Sequence, residues 1–264
     1  MQNRLEFAVD VARKAGQLTL EYFNNSNLVV EHKSDRTPVT VADRGAELLL
    51  RKHITTKFPD DAILGEEFPE QPGESGFRWI LDPIDGTKSF IHGVPLYSTL
   101  IGVEQNGEPV IGVIQLPILG ETLWAMRGAG AWYSSPRSKS PQQARVSDCR
   151  TLGEGLFLTS SVTAFGDMGR DEAFREISQN MLLTRTWGDA YGYFLVATGR
   201  AEVMIDPILS AWDAAPMLTI ITEAGGKFSD WQGNPTIYGK EAVATNGLLY
   251  DSVIEITQRF PKKA

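Results

Sequence analysis

Near the start of the chain apolar residues recur at three- and four-residue steps: Leu5, Ala8, Val9, Ala12, Ala15, Leu18 and Tyr22. That spacing lays one stripe along a helix, which the Asn24-Asn25-Ser26 cluster is expected to end. Ala46, Leu49, Leu50, Ile54 and Phe58 mark a second helix, stopped by Pro59. It opens on Thr40-Val41-Ala42-Asp43, a capping-box pattern with an acid three residues after a threonine. The period then changes to that of strands. Short β-type runs follow one another: AILG (62–65), FRWIL (77–81), STLIGV (98–103), PVIGVI (109–114), ETLWAM (121–126) and AWY (131–133). Asn106-Gly107, between the third and fourth runs of this series, is a strong hairpin signal. The pattern predicts an antiparallel sheet with two helices packed against it.

Residues 134–147, SSPRSKSPQQARVS, are polar and contain two prolines, so they read as an exposed connection. They divide one compact unit into an N-terminal half, 1–135, and a C-terminal half, 136–264. Beyond them the elements alternate. GLFLTS (155–160) reads as a strand, 171–182 as a helix, MLLTRTW as the entry to a strand, and 189–199 as a helix closed by Gly199. AEVMID (201–206) is a strand, 212–224 a helix ended by Gly225-Gly226, KFSD and AVAT are strands, and a last helix lies near 247–259. Such alternation predicts a layered α/β half.

Composition narrows the class. The chain has 264 residues, 42% of them hydrophobic, enough to bury a substantial core. No run approaches the roughly 20 apolar residues of a membrane helix, and the N-terminal stretch reads as an amphipathic helix instead of a signal peptide, so a soluble cytoplasmic protein is expected. The single cysteine, Cys149, permits neither an intrachain disulfide nor a cysteine-rich zinc site. The formal charge is −8. Basic residues are scattered apart from small groups at Arg137–Lys139 and the C-terminus, which argues against nucleic acid as a partner. An acidic protein can still bind a phosphate if a cation stands between its carboxylates and the ligand. That condition points to metal ions.

Acids stand at the ends of elements in four separated segments: Asp43 opening the second helix, Gly65-Glu66-Glu67 after AILG, Asp82-Pro83-Ile84-Asp85-Gly86-Thr87 after FRWIL, and Trp212-Asp213 opening the helix at 212. Asp43 and Asp213 also suit a plain helix start, and Glu66-Glu67 a solvated turn. Asp82 and Asp85 are harder to place as structural residues. Pro83 fixes its own φ and biases Asp82 away from helix, and Gly86 opens a conformation closed to other residues, so the segment is built to hold one shape. Two carboxylates on one side of it repel unless a cation fills the gap. Oxygen ligands without Cys or His suit Mg²⁺ rather than zinc, and His32, His53 and His92 lie outside these motifs.

The GEE, DPIDGT and WDAAP segments, in this order and spacing, resemble the signature of the inositol monophosphatase family of Mg²⁺-dependent phosphatases, and the likeness runs from the first helix through EAGGKFSDWQG to ATN. The resemblance implies a layered αβαβα sandwich, a homodimer, and two or three Mg²⁺ in a cleft between its halves. It also implies roles. Glu66, Asp82 and the Ile84 carbonyl would hold one metal; Asp82, Asp85 and Asp213 a second; Glu66 would help with a weaker third. Thr87 would join Glu66 and Asp43 in orienting the attacking water, while the Gly86 and Thr87 amides receive the phosphate.

This division of labour matches what a phosphomonoester dianion requires, namely charge neutralisation, an activated water and help for the leaving oxygen. The chain carries no Asp-x-Asp nucleophile motif, since two residues separate Asp82 from Asp85, and no G-x-x-x-x-G-K-[ST] loop. A phosphoenzyme mechanism and an ATP-using kinase are therefore disfavoured. The family leaves inositol phosphates, histidinol phosphate, adenosine bisphosphate and fructose bisphosphate open as substrates. Lys88-Ser89, WGDAYGYFLVATGRAEVMIDP and DWQG resemble the histidinol-phosphate phosphatase branch. By family position Gly188, Asp189, Ala190 and Asp206, with Asp213 beside them, would face the alcohol. Two acids suit an alcohol that carries an amine and an imidazole, although Asp189 as a helix-start acid and Asp206 as a turn residue are the plainer alternatives. Histidinol-phosphate hydrolysis is the expectation, with an inositol monophosphatase or broad phosphomonoesterase second and a non-enzymatic metal- or phosphate-binding protein third.

Overall fold

The computed structural model describes residues 1–25, 28–33 and 37–261; Ser26 of the predicted helix stop and the terminal Lys262-Lys263 lie outside them. Helix α1 (Gln2–Leu20) is followed by a short hairpin, β1 (Val30–His32) and β2 (Pro38–Thr40), and by α2 (Val41–Lys57). The hairpin has no clear signal in the sequence. Thr40 caps α2 as its spacing predicts: its hydroxyl accepts from the Ala42 amide at 3.1 Å, and its own amide donates to the Asp43 carboxylate at 2.7 Å.

The first sheet follows chain order through β3 (Ala62–Gly65), β4 (Phe77–Asp85), β5 (Ser98–Gln105), β6 (Glu108–Leu116), β7 (Glu121–Met126), β8 (Ala131–Ser134) and β9 (Gln142–Ala144), with the one-turn helix α3 (Thr87–Ile91) between β4 and β5. It is antiparallel except at its edge, where β3 and β4 run parallel. β9 lies inside the predicted connection; its backbone pairs with β8, a gain that polar side chains do not advertise.

After β9 the chain adds β10 (Leu156–Leu158), α4 (Val162–Asp167), α5 (Asp171–Asn180), β11 (Leu183–Arg185), α6 (Ala190–Ala197), β12 (Val203–Asp206), α7 (Ala211–Glu223), β13 (Lys227–Ser229), β14 (Ala242–Thr245) and α8 (Tyr250–Thr257). The second sheet has the order β11-β10-β12-β14-β13, with β10 parallel to both neighbours and β14 antiparallel to both of its own.

Three apolar clusters stack these parts into five layers. Trp79, Leu81, Ile101 and Val113 face α1 and α2 through Ala8, Ala12, Ala46 and Leu50. Ile80, Leu100 and Ile114 point the other way, onto Phe194, Ala215 and Ile220 of α6 and α7, which also meet Met204 and Ala244 of the second sheet. Phe157, Val203 and Val243 cover the far face with α4, α5 and α8. The result is the expected αβαβα sandwich. α6 and α7 are apolar nearly all round because both flanks lie against sheets. α7 sits tight because β5 and β6 present glycines to it: a β-carbon at Gly102 would lie 2.5 Å from that of Ala215, and one at Gly112 2.3 Å from the Pro216 carbonyl. That contact fixes the position of Asp213 in the first turn of α7. Among the described residues no helix is long and apolar enough to cross a membrane.

Candidate active site

The strand β4 does not stop at Leu81 but runs on through the acids. Asp82 pairs with Leu100 and Asp85 with Ser98, so three steps on β4 match two on β5, a β-bulge. In a regular strand positions three apart face opposite ways. The extra residue brings Asp82 and Asp85 onto one side. Pro83, which has no N–H to leave unpaired, occupies the bulge, and its carbonyl accepts from the Thr99 hydroxyl at 2.9 Å. Gly86 then takes φ +79 and turns the chain into α3.

The acids converge. One carboxylate oxygen each from Asp82, Asp85 and Asp213 lies within 4.8 Å of the others. They line a cleft of about 470 Å³ with Glu66, Ile84, Gly86, Thr87, Gly188 and Asp189. Asp43 stands one layer behind: the Thr87 hydroxyl lies 3.1 Å from the Ile84 carbonyl and 3.5 Å from the Asp43 carboxylate. Asp85 is held from both halves of the molecule, accepting from the Ser98 hydroxyl and the Ala190 amide, each at 2.8 Å. Ala190 therefore reaches the site through its backbone, while its methyl is buried in the central core.

Asp206 is not on the cleft wall. It is 2% exposed, and its two oxygens accept from the Ser160 amide (2.8 Å), the Ser160 hydroxyl (3.0 Å), the Tyr193 hydroxyl (3.0 Å) and the Thr159 hydroxyl (3.3 Å). The expected direct contact of Asp206 with an alcohol is thus replaced by a buried, fully bonded acid behind Ser160. Asp189 does stand at the cleft, half-buried, with its Oδ2 2.8 Å from where a β-carbon on Gly86 would be. Ser89 bonds its carboxylate and the Lys88 charge lies close by.

Burial and like-charge crowding dominate the electrostatics of the Asp82-Asp85-Asp213 cluster. Burial, then the charges of Glu66, Asp213 and Asp85, push Asp82 well above the usual carboxylate range. Burial, then Asp189 and Asp213, do the same to Asp85, and burial raises Asp213 to about 7. Burial with the neighbouring Asp206 charge lifts Asp189 to about 6, against the pull of Lys88 and Ser89. A buried set of carboxylates with no Cys or His among them fits a hard metal cation, which relieves the repulsion directly.

Three supporting groups escape a reading of the sequence. Lys33, after β1, bridges Glu66 and Glu67 with 2.7 Å contacts to each, although burial and the charge of Glu66 still raise Glu67 to about 7. Glu47 on α2 is fully buried; it accepts from the Glu67 amide at 2.8 Å and from Arg51 at 2.7 Å. Gly65 must lack a side chain because a β-carbon there would lie 2.0 Å from the Glu47 carboxylate. Ser160 lines the cleft from the C-terminal half. None belongs to a motif; only the alternation that buries part of α2 could have singled out Glu47, as an acid on an apolar face.

An αβαβα sandwich with a buried acidic cluster at the mouth of its central layers is the framework of a metal-assisted hydrolase. The chain belongs to the inositol monophosphatase family, whose model matches residues 1–261. It is 44% identical over 251 residues to the histidinol-phosphatase of Chlorobaculum parvum, covering 95% of each chain, and 37% identical over 261 residues to that of Streptomyces coelicolor, covering 97% of each. Among solved structures, the extragenic suppressor protein suhB from Bartonella henselae superposes with a TM-score of 0.89 at 29% identity, over 97% of this chain and 99% of that one.

Proposed function

We propose that the protein is a Mg²⁺-dependent phosphomonoesterase that hydrolyses histidinol phosphate to histidinol and phosphate. The observation that carries this reading is the half-buried Asp189 carboxylate at the same cleft as the Asp82-Asp85-Asp213 cluster. One part suits a phosphate reached through cations, the other a cationic alcohol. The relatives named histidinol-phosphatase support the same substrate.

Glu66, Asp82 and the Ile84 carbonyl would hold one Mg²⁺, Asp82, Asp85 and Asp213 a second, and Glu66 would assist a weaker third. Bound there, the ions supply charge neutralisation, acidify water and stabilise the leaving oxygen. The Gly86 and Thr87 amides bind the phosphate, and Gly86 must stay bare so that Asp189 can close over it. Thr87, held between the Ile84 carbonyl and Asp43, orients the attacking water together with Glu66. Burial raises Asp43 even though Thr40 bonds it, which leaves it inclined to accept a proton from that side. Attack is direct and in line, without a phosphoenzyme. Asp213, Asp189 and Gly188 shape the pocket for the alcohol, and Ala190 positions Asp85. The working protein is a cytoplasmic homodimer in this reading.

The test is a substrate panel with Mg²⁺. Histidinol phosphate should give a higher kcat/KM than inositol 1-phosphate or adenosine 3′,5′-bisphosphate, and excess EDTA should abolish turnover. A reversed order would make inositol phosphate the substrate, while full activity in EDTA would remove the metal assignment.

A further inference from the structure

Asp189 has φ +52 and ψ −157, a conformation nearly reserved for glycine that costs other residues about 1–3 kcal/mol. Something must hold it there. Its amide donates to the Ser160 hydroxyl at 2.8 Å, and the next amide, Ala190, donates to Asp85 at 2.8 Å. Gly188 packs so closely on the same serine that a β-carbon would lie 2.1 Å from the Ser160 Cα. Ser160 is held in turn. Its hydroxyl has one proton, which goes to Asp206 Oδ2 at 3.0 Å, so its oxygen must turn a lone pair to the Asp189 amide. The Ser160 amide donates to the other oxygen of Asp206 at 2.8 Å. With the Tyr193 and Thr159 hydroxyls also bonded, Asp206 has no oxygen turned toward the cleft.

We infer that Ser160 is a positioning residue that sets the Asp189 carboxylate at the cleft to select a cationic ester, and that Asp206 serves this selection by ordering Ser160 and not by meeting the ligand itself. The inference rests on the histidinol-phosphate reading and divides the labour of its two acids. Asp189 meets the ligand's positive charge. Asp206 orders the serine that keeps Asp189 in its strained turn. In an ordinary extended conformation the Asp189 side chain would swing away from Gly86, and the pocket would lose its anion while keeping its phosphate site.

The experiment is a double-mutant cycle read as the ratio of kcat/KM for histidinol phosphate to that for inositol 1-phosphate, with Mg²⁺ present. Ser160→Ala and Asp206→Asn are each expected to lower the ratio about tenfold, and the double variant to fall no further than the larger single effect. Independent losses that multiply to about a hundredfold would show Asp206 meeting the substrate by itself and overturn the inference. An unchanged ratio in Ser160→Ala would overturn it as well. Thermal unfolding decides the matter without any substrate, and stands even if Asp206→Asn does not fold. Ser160→Ala should lower Tm in the wild type and by less than half as much in Asp189→Gly, where glycine adopts the turn without strain. Equal shifts would overturn the role of Ser160. A wild type that prefers inositol 1-phosphate would defeat the substrate reading instead, and the thermal cycle would still decide on Ser160.

Discussion

The two sides of the cleft are built by different means. The side around Asp82 and Asp85 comes from one short segment in which a bulge, a proline and a left-handed glycine fix the geometry locally. The side around Asp189 comes from three segments far apart in the chain, ending at Ser160, Asp189 and Asp206, which hydrogen bonds lock together. The first presents charge that a metal must answer; the second presents a single carboxylate held in a strained turn. In the proposed reading, chemistry common to all phosphomonoesters belongs to the local side, and the choice of alcohol to the assembled one.

Breaking the local side should have the largest effect. Asp85→Asn is expected to lower kcat by at least about 10³-fold, equivalent to roughly 4 kcal/mol, for every phosphate ester alike. Steady-state rates on the panel would show it, and a loss confined to one substrate would blur the contrast between the two sides. Next comes a change in the frame. Asp61, buried below the N-terminus of α1, receives bonds from Arg4 (2.9 Å), Ser75 (2.6 Å) and the Trp79 indole (2.9 Å). Burial alone would raise its pKa, but these donors and the Arg4 charge outweigh it and hold the carboxyl below its ordinary range. Its contribution is therefore present above pH about 4 and is lost as pH falls through the depressed folded value. Asp61→Asn should cost about 3 kcal/mol in denaturant unfolding at neutral pH while leaving the ratio between substrates in place.

Proton linkage gives the acidic cluster the opposite slope. Asp82, Asp85 and Asp213 have folded pKa values raised above the unfolded value of about 4, Asp213 to about 7, so the metal-free fold binds extra protons above pH about 4 and loses stability as pH rises through the raised values. Mg²⁺ should reverse the trend. At a hundred times its Kd it adds about 2.7 kcal/mol, a rise in Tm of roughly 5–10 °C, and the gain should be greater at pH 7.5 than at pH 5. Thermal scans with and without Mg²⁺ at both pH values measure this. An equal gain at both would detach the metal from the cluster.

What the sequence made legible follows the same division. The helices of α1 and α2, the strands β3 to β8 and the acids of DPIDGT show in local periodicity and turn chemistry, because bulge and glycine act over a few residues. β9 and the β1–β2 hairpin do not, since backbone pairing with a distant strand adds no pattern to the side chains. Lys33 and Glu47 are hidden for a related reason: their partners, Glu66 and Glu67, are distant in the chain and meet them only in the fold, Lys33 from beside β1 and Glu47 from α2. Asp189 and Asp206 look equivalent as a pair of acids in the sequence. Only the fold separates them, by turning one toward the cleft and enclosing the other among four donors.

The smallest effect is also the most informative, because it probes the assembled side alone. The measurement is the ratio of kcat/KM for histidinol phosphate over inositol 1-phosphate, with Mg²⁺, in the wild type and in Asp189→Asn. The wild-type ratio should exceed one and fall by about tenfold in the variant, roughly 1.4 kcal/mol of discrimination carried by one carboxylate. A wild-type ratio below one, or the same ratio in both proteins, would contradict the account.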